Sequence, residues 1–130
     1  MPLLFCTPAF AAKIVVDKKT PKIISTDQIH QFAIDWDKIA KRSDAGKKSG
    51  ENMVMQCDDR SLALIEVKVE GGFEGVTIES DCKLKGAQDN DESDSYLHFE
   101  GPDSNCEITI QKDREGKKPL KIVYELSASC

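Results

Sequence analysis

From Met53 to Leu126 apolar side chains recur at every second position, and that period confines most of the chain to β-strands with one buried and one wet face. Met53, Met55 and Cys57 share one parity. Ala63, Ile65, Val67 and Val69 form an apolar row, with Glu66, Lys68 and Glu70 pointing the other way. Val76, Ile78, Cys82 and Leu84 make the next row, opposed by Glu79, Asp81 and Lys83. After a short strand from Tyr96 to Glu100, Cys106, Ile108 and Ile110 alternate with Glu107, Thr109 and Gln111, and Leu120, Ile122, Tyr124 and Leu126 close the pattern. Gly71-Gly72-Phe73-Glu74-Gly75, Gly101-Pro102-Asp103 and Asp113-Arg114-Glu115-Gly116 punctuate the rows with residues that supply turn dihedrals. The pattern predicts antiparallel hairpins. The expected fold is mainly β, with α+β as the alternative: an antiparallel sandwich or partly open barrel of five to seven strands.

The region before Met53 reads differently. Ile14-Val15-Val16 and Lys22-Ile23-Ile24 are short β-branched runs. Ser25 with Gln28 three residues on fits a capping box. Behind it Ile29, Phe32, Ala33, Trp36, Ile39 and Ala40 recur at helical spacing, and Lys41 and Arg42 suit a helix C-terminus. The spacing predicts one N-terminal helix from about Asp27 to Lys41, covering an edge or face through Ile29, Phe32 and Trp36. Phe32, Ile34 and Trp36 also alternate as a strand would, so helix and strand both stay open for residues 27–41. Residues 43–52 form a polar loop.

The first residues resemble the back half of a secretory signal. Pro2 to Cys6 is apolar, and Ala9-Phe10-Ala11 offers an A-x-A cleavage site. Residues 1–11 are therefore read as a signal-peptide remnant, and 12–130 as a single disulfide-stabilised domain, periplasmic or secreted. The alternative is a buried first strand or an apolar tail. No apolar run reaches the ~18–20 residues needed to span a bilayer. The formal net charge of −5 disfavours nucleic acid as a partner, which would want a clustered basic face.

Of the five cysteines, Cys6 would leave with the signal, and Cys57, Cys82, Cys106 and Cys130 would remain. Their wide, nearly even spacing does not suit a compact zinc site. In an oxidising compartment they are expected to form disulfides. Each shares the parity of an apolar row, so each is expected to face inward. Cysteines at these positions admit three pairings. Cys57–Cys82 with Cys106–Cys130 is favoured.

Catalytic and metal signals are sparse. The histidines are His30, on the polar side of the expected helix, and His98, and neither sits in a zinc-binding spacing. There is no GxSxG nucleophile motif. Gly46-Lys47-Lys48-Ser49 lacks the upstream glycine of a phosphate loop. Asp89, Asp91, Glu92 and Asp94, with Glu100 beyond, have the alternation of a calcium loop, but Asp94 stands where the sharp turn needs glycine. No catalytic residue, cofactor or metal is assigned.

Binding signals are clearer. Lys38, Lys41, Arg42, Lys47 and Lys48 gather around one loop, far in sequence from the acidic run, and such segregation steers charged partners. Phe73 occupies a glycine-rich hairpin tip, where an exposed aromatic serves as an anchor; the alternative is that it folds back over the hairpin. Leu64 and Val123 are expected to face outward. Met55-Gln56-Cys57-Asp58-Asp59 resembles the opening strand of the periplasmic C-type lysozyme inhibitors, although that family's Ser-Gly-x-x-Tyr motif does not occur. The resemblance implies that a small disulfide-bearing β-domain can serve as an inhibitor. The reading is an exported, non-catalytic module that binds another protein through Phe73, Lys47 and Lys48, as an inhibitor, effector or envelope-complex subunit. The alternatives are a small hydrolase using surface carboxylates with His98, and a calcium-stabilised structural domain.

Overall fold

The computed structural model describes residues 12–23, 29–41, 48–56, 64–100 and 105–129. The strands are β1 (Ala12–Ile14), β2 (Ile29–Ile34), β3 (Lys48–Gln56), β4 (Leu64–Val69), β5 (Val76–Ser80), β6 (Leu84–Gln88), β7 (Ser95–Glu100), β8 (Cys106–Arg114) and β9 (Lys117–Ser129), with one helix, α1 (Trp36–Lys41). They form two sheets, ordered β1-β5-β8-β9-β3 and β2-β4-β7-β6. The two layers pack as a sandwich, as the alternation predicts. Ile65, Val67, Val69, Leu97 and Phe99 of the four-stranded sheet meet Ile78, Ile108, Ile110, Tyr124 and Leu126 of the five-stranded sheet. Phe32 stacks on Tyr124 with ring centroids 4.4 Å apart, fixing one sheet against the other. Each such side chain contributes roughly 1.5–3 kcal/mol through burial.

The strand number exceeds the five to seven expected, because the N-terminal region contributes strands too. β1 pairs with β5. Lys22 bridges to Ala87 on β6, whose N–H donates to Pro21 O at 2.9 Å. β2 runs parallel to β4, and β3 runs parallel to β9. The chain before Leu64 thus covers the edges of two smaller sheets, β5-β8-β9 and β4-β7-β6, which would otherwise present open ladders.

The helix is much shorter than expected. Residues 29–34 are strand and only Trp36–Lys41 is helix. Phe32 and Ile34 are buried while Gln31 and Ala33 are exposed, so the period of two prevails. The deciding factor is tertiary: the free edge of β4 takes up the backbone hydrogen bonds of 29–34, in register from Ile29↔Leu64 to Ile34↔Val69. His30 consequently lies on a strand and packs edge-on against Phe32, 4.8 Å between centroids. The proposed cap at Ser25–Gln28 lies outside the described residues. Asp35 does the capping: its Oδ1 accepts from the N–H of Asp37 and Lys38 at 3.1 and 3.2 Å.

The favoured cysteine pairing is also corrected. Cys82 is bonded to Cys106, with Cα atoms 5.1 Å apart. β5 and β8 are antiparallel neighbours with Ser80 opposite Ile108. Continuing that register sets residue 82 against residue 106, within the span a disulfide bridges. Cys57 and Cys130 lie outside the described residues. Val123 is not outward-exposed but 1% accessible, since it sits mid-strand in β9 between β8 and β3. Leu64 is half-buried.

Candidate functional site

Chain direction sorts the connections to two ends of the sandwich. One end carries the β5–β6 turn and the disulfide. The other carries the β4–β5 loop (70–75), the β6–β7 loop (89–94), the β8–β9 hairpin tip (113–116), α1 and the start of β3. α1 belongs there because β2 runs parallel to β4, with Ile34 opposite Val69. Both chains leave the sheet at the same level.

The loops of this second end interlock. Gly71, Gly72 and Gly75 have φ of 80°, 92° and 72°, which favours glycine. Gly72 also lies so close to the β6–β7 loop that a Cβ would stand 1.8 Å from Asp91 O. Gly71 N–H donates to Asp94 Oδ1 at 3.4 Å, and Lys68 Nζ reaches Asp94 Oδ2 at 3.3 Å. The third loop is joined by Asp113 N–H donating to Gly75 O at 2.9 Å. Arg114 closes its own hairpin, with Nη2 and Nε donating to Lys118 O at 2.6 and 2.9 Å. Lys112 Nζ stands 5.8 Å from the Trp36 ring centroid, linking α1 to the five-stranded sheet.

Two of the sequence-derived binding residues fall on this end. Phe73 is half-buried and packs against the core, so it folds back rather than standing free. Lys48 opens β3 opposite Lys121, which in turn faces Gln111 near the hairpin tip. Thr77 of β5 stands in the same row, three strand spacings or roughly 14 Å from Lys48. Lys47 lies outside the described residues. Exposed charges of both signs share the end: Glu70, Glu74, Asp91 and Glu92 lie on the two loops above β4–β7, and Asp113, Glu115, Lys117 and Lys118 lie at the β8–β9 hairpin. The acidic run, distant from the lysines in sequence, thus shares an end with them. A cleft of about 410 Å³ opens beside α1, lined in part by Asp35, Lys38, Lys68 and Glu70.

His98 is placed elsewhere. Gln31, Glu66, His98 and Gly86 occupy one cross-strand row over β2-β4-β7-β6. His98 Nε2 is 2.7 Å from Glu66 Oε2, and Gln31 Nε2 donates to the other carboxylate oxygen of Glu66. The His98 ring is only 2% exposed although it faces away from the core. A Cβ at Gly86 would meet Pro21 O at 3.0 Å, so the backbone of Pro21 and Lys22 lies over that part of the row. The contact ties β7 to β4 on the face of the sheet turned away from the core. Parity alone could have suggested the pair, since Glu66 and His98 both sit between core positions.

Two clusters of potential metal ligands occur among the described residues, Asp81/Cys82/Cys106 and Asp35/Asp37/Glu70. The thiols of the first are consumed in the disulfide, and Asp35 of the second caps α1. In the acidic loop, Asp89 Oδ1 accepts from Asp91 N–H at 3.0 Å and Asn90 Nδ2 donates to Asp94 O at 2.8 Å. The loop is organised by its own hydrogen bonds. No described helix is long and apolar enough to cross a membrane.

No protein-family model matches the sequence, and no curated protein matches it. Among solved structures the chain is similar to the cysteine protease inhibitor EhICP2 from Entamoeba histolytica, with a TM-score of 0.43 and 13% identity over 78% of this chain and 96% of that one.

Proposed function

We propose that the protein is an exported, non-catalytic binding module. It engages another protein through its loop-bearing end, as an inhibitor, effector or envelope-complex subunit does. The observation that carries this reading is the convergence of three interlocked loops, α1 and Lys48 on one end, opposite the disulfide. Loops held by a rigid scaffold are where binding residues concentrate. The spread from the Phe73 loop to Lys48 suits a standard interface of about 800 Å² per partner. In this reading Phe73 shapes the loop and presents its uncovered edge, and Lys47 and Lys48 supply positive charge. The disulfide supports an oxidising, extracytoplasmic setting.

Affinity capture with the oxidised protein, immobilised through the disulfide end, tests this. A stoichiometric protein partner should be retained by wild type and lost on Phe73→Ala or on Lys47→Glu with Lys48→Glu, with thermal stability unchanged for the lysine variant. Retention by all variants would overturn the assignment of the surface.

A further inference from the structure

We infer that the cleft beside α1 is a binding site for a free α-amino acid with a large apolar side chain. The cleft, of about 410 Å³, opens between the two sheets at the loop-bearing end. Small-ligand sites occupy roughly 300–1,000 Å³. Both sheets and the helix contribute its inner wall. Ile34 ends β2, Ile39 belongs to α1 and Ile122 to β9, and all three are buried core residues. An apolar side chain placed against them leaves water. The rim carries both signs of charge: Asp35 and Lys38 from the α1 region, and Lys68 and Glu70 from the end of β4 and the residue after it. Lys68 is engaged by Asp94 at 3.3 Å. Lys38 and Glu70 are exposed and line the same cleft, yet neither forms an ion pair with the other or with any other described residue.

The unpaired charges define the ligand. Carboxylate oxygens of Asp35, Asp37 and Glu70 lie within 4.8 Å of one another, and a cation among them relieves their repulsion. A divalent metal ion fits poorly there. Lys38 and Lys68 line the same cleft and repel it, and Asp35 Oδ1 already accepts from two backbone N–H groups. An ammonium group fits, because it carries a single charge and donates its hydrogen bonds in several directions. Lys38 is then left to bind a carboxylate through a charge-assisted hydrogen bond. An α-amino acid offers the ammonium, the carboxylate and the apolar side chain around one carbon. A residue inside a peptide has neither backbone charge, and a chain terminus has only one. Occupied, the cleft ties α1 to the end of β4 through Lys38 and Glu70. The site needs no protein partner, so it stands or falls separately from the proposed interface.

Ligand titration of the isotope-labelled full chain, followed by amide NMR, tests the site. The probes are L-leucine, N-acetyl-L-leucine, which lacks the ammonium, L-leucinamide, which lacks the carboxylate, and glycine, which lacks the side chain. L-Leucine at millimolar concentration should give saturable shifts at the amides of residues 35–39 and 68–71. Each analogue should bind at least about tenfold more weakly. Lys38→Met should bring L-leucine down to the affinity of L-leucinamide and leave L-leucinamide unchanged, whereas Glu70→Gln should weaken both. Both side chains are exposed, so both variants should fold. Absence of saturable shifts, an analogue that matches L-leucine, or unchanged L-leucine binding in either variant would overturn the proposal.

Discussion

The two ends of the sandwich are held by different kinds of force. At one end Cys82–Cys106 joins neighbouring strands covalently, and short polar contacts surround it: Asp81 Oδ1 accepts from Glu107 N–H at 2.7 Å, and Ser80 Oγ donates to Glu107 O at 3.0 Å. Glu100 N–H donates to Lys83 O at 2.8 Å, so the turn after the disulfide also reaches the other sheet. At the opposite end the described links between loops are non-covalent: single hydrogen bonds, a half-exposed ion pair and the close seat of Gly72 against Asp91. The comparison teaches a division of labour. A stapled end supplies stability that does not depend on surface residues, and the loop end, the surface proposed for binding, is held by contacts that surface substitutions can change.

Four measurements can break or sharpen that contrast. The largest effect is expected at the stapled end. The Cys82→Ser/Cys106→Ser variant should lose about 3.5 kcal/mol of unfolding free energy in urea titrations, from a loop of 24 residues' separation. A comparable loss from any loop-end surface charge would erase the distinction. Second, Gly72→Ala should cost about 2–3 kcal/mol, since φ is 92° and its Cβ would collide with Asp91 O. Gly75→Ala meets nothing within 4 Å and should cost only about 1 kcal/mol, the conformational term alone. Equal costs at the two positions would mean that the β4–β5 and β6–β7 loops do not touch in solution. Third, Glu66→Ala should cost about 1–3 kcal/mol by leaving buried His98 Nε2 without its acceptor, with Glu66→Gln less damaging. A neutral Glu66→Ala would argue against the cross-strand pair. The smallest effect on stability is expected from Lys117→Glu with Lys118→Glu, within about 0.5 kcal/mol, because both side chains are exposed. The same variant should weaken partner capture; a large drop in melting temperature instead would assign these lysines to the scaffold.

Much of the sandwich is legible in the alternation of polar and apolar residues. Ile65, Val67 and Val69, and later Ile108, Ile110, Ile122, Tyr124 and Leu126, are buried as their parity requires. Residues 29–41 were ambiguous because Phe32 and Trp36 satisfy both a helical and a two-residue period. The free edge of β4 resolved 29–34 to strand, and Asp35 then started the helix. The candidate site was legible only in fragments. Phe73 stood out by its glycine neighbours, but nothing local shows that it packs on the core. His98 had outward parity and was nevertheless buried, because Glu66 and the Pro21–Lys22 backbone come to the same row from distant segments.

Inward and outward facing is a local property, since successive side chains of a strand point to opposite faces whatever lies beside it. The residues between Met53 and Leu126 therefore carry most of their burial pattern in their own order. Which strand lies beside which is not local. Cys82 meets Cys106, and Lys48 shares an end with Phe73, only because β5 pairs with β8 and β3 runs parallel to β9. Any strand edge offers the same row of N–H and C=O groups. The choice of partner and register is made by collective burial across both sheets, and that sum exists only once the chain has folded.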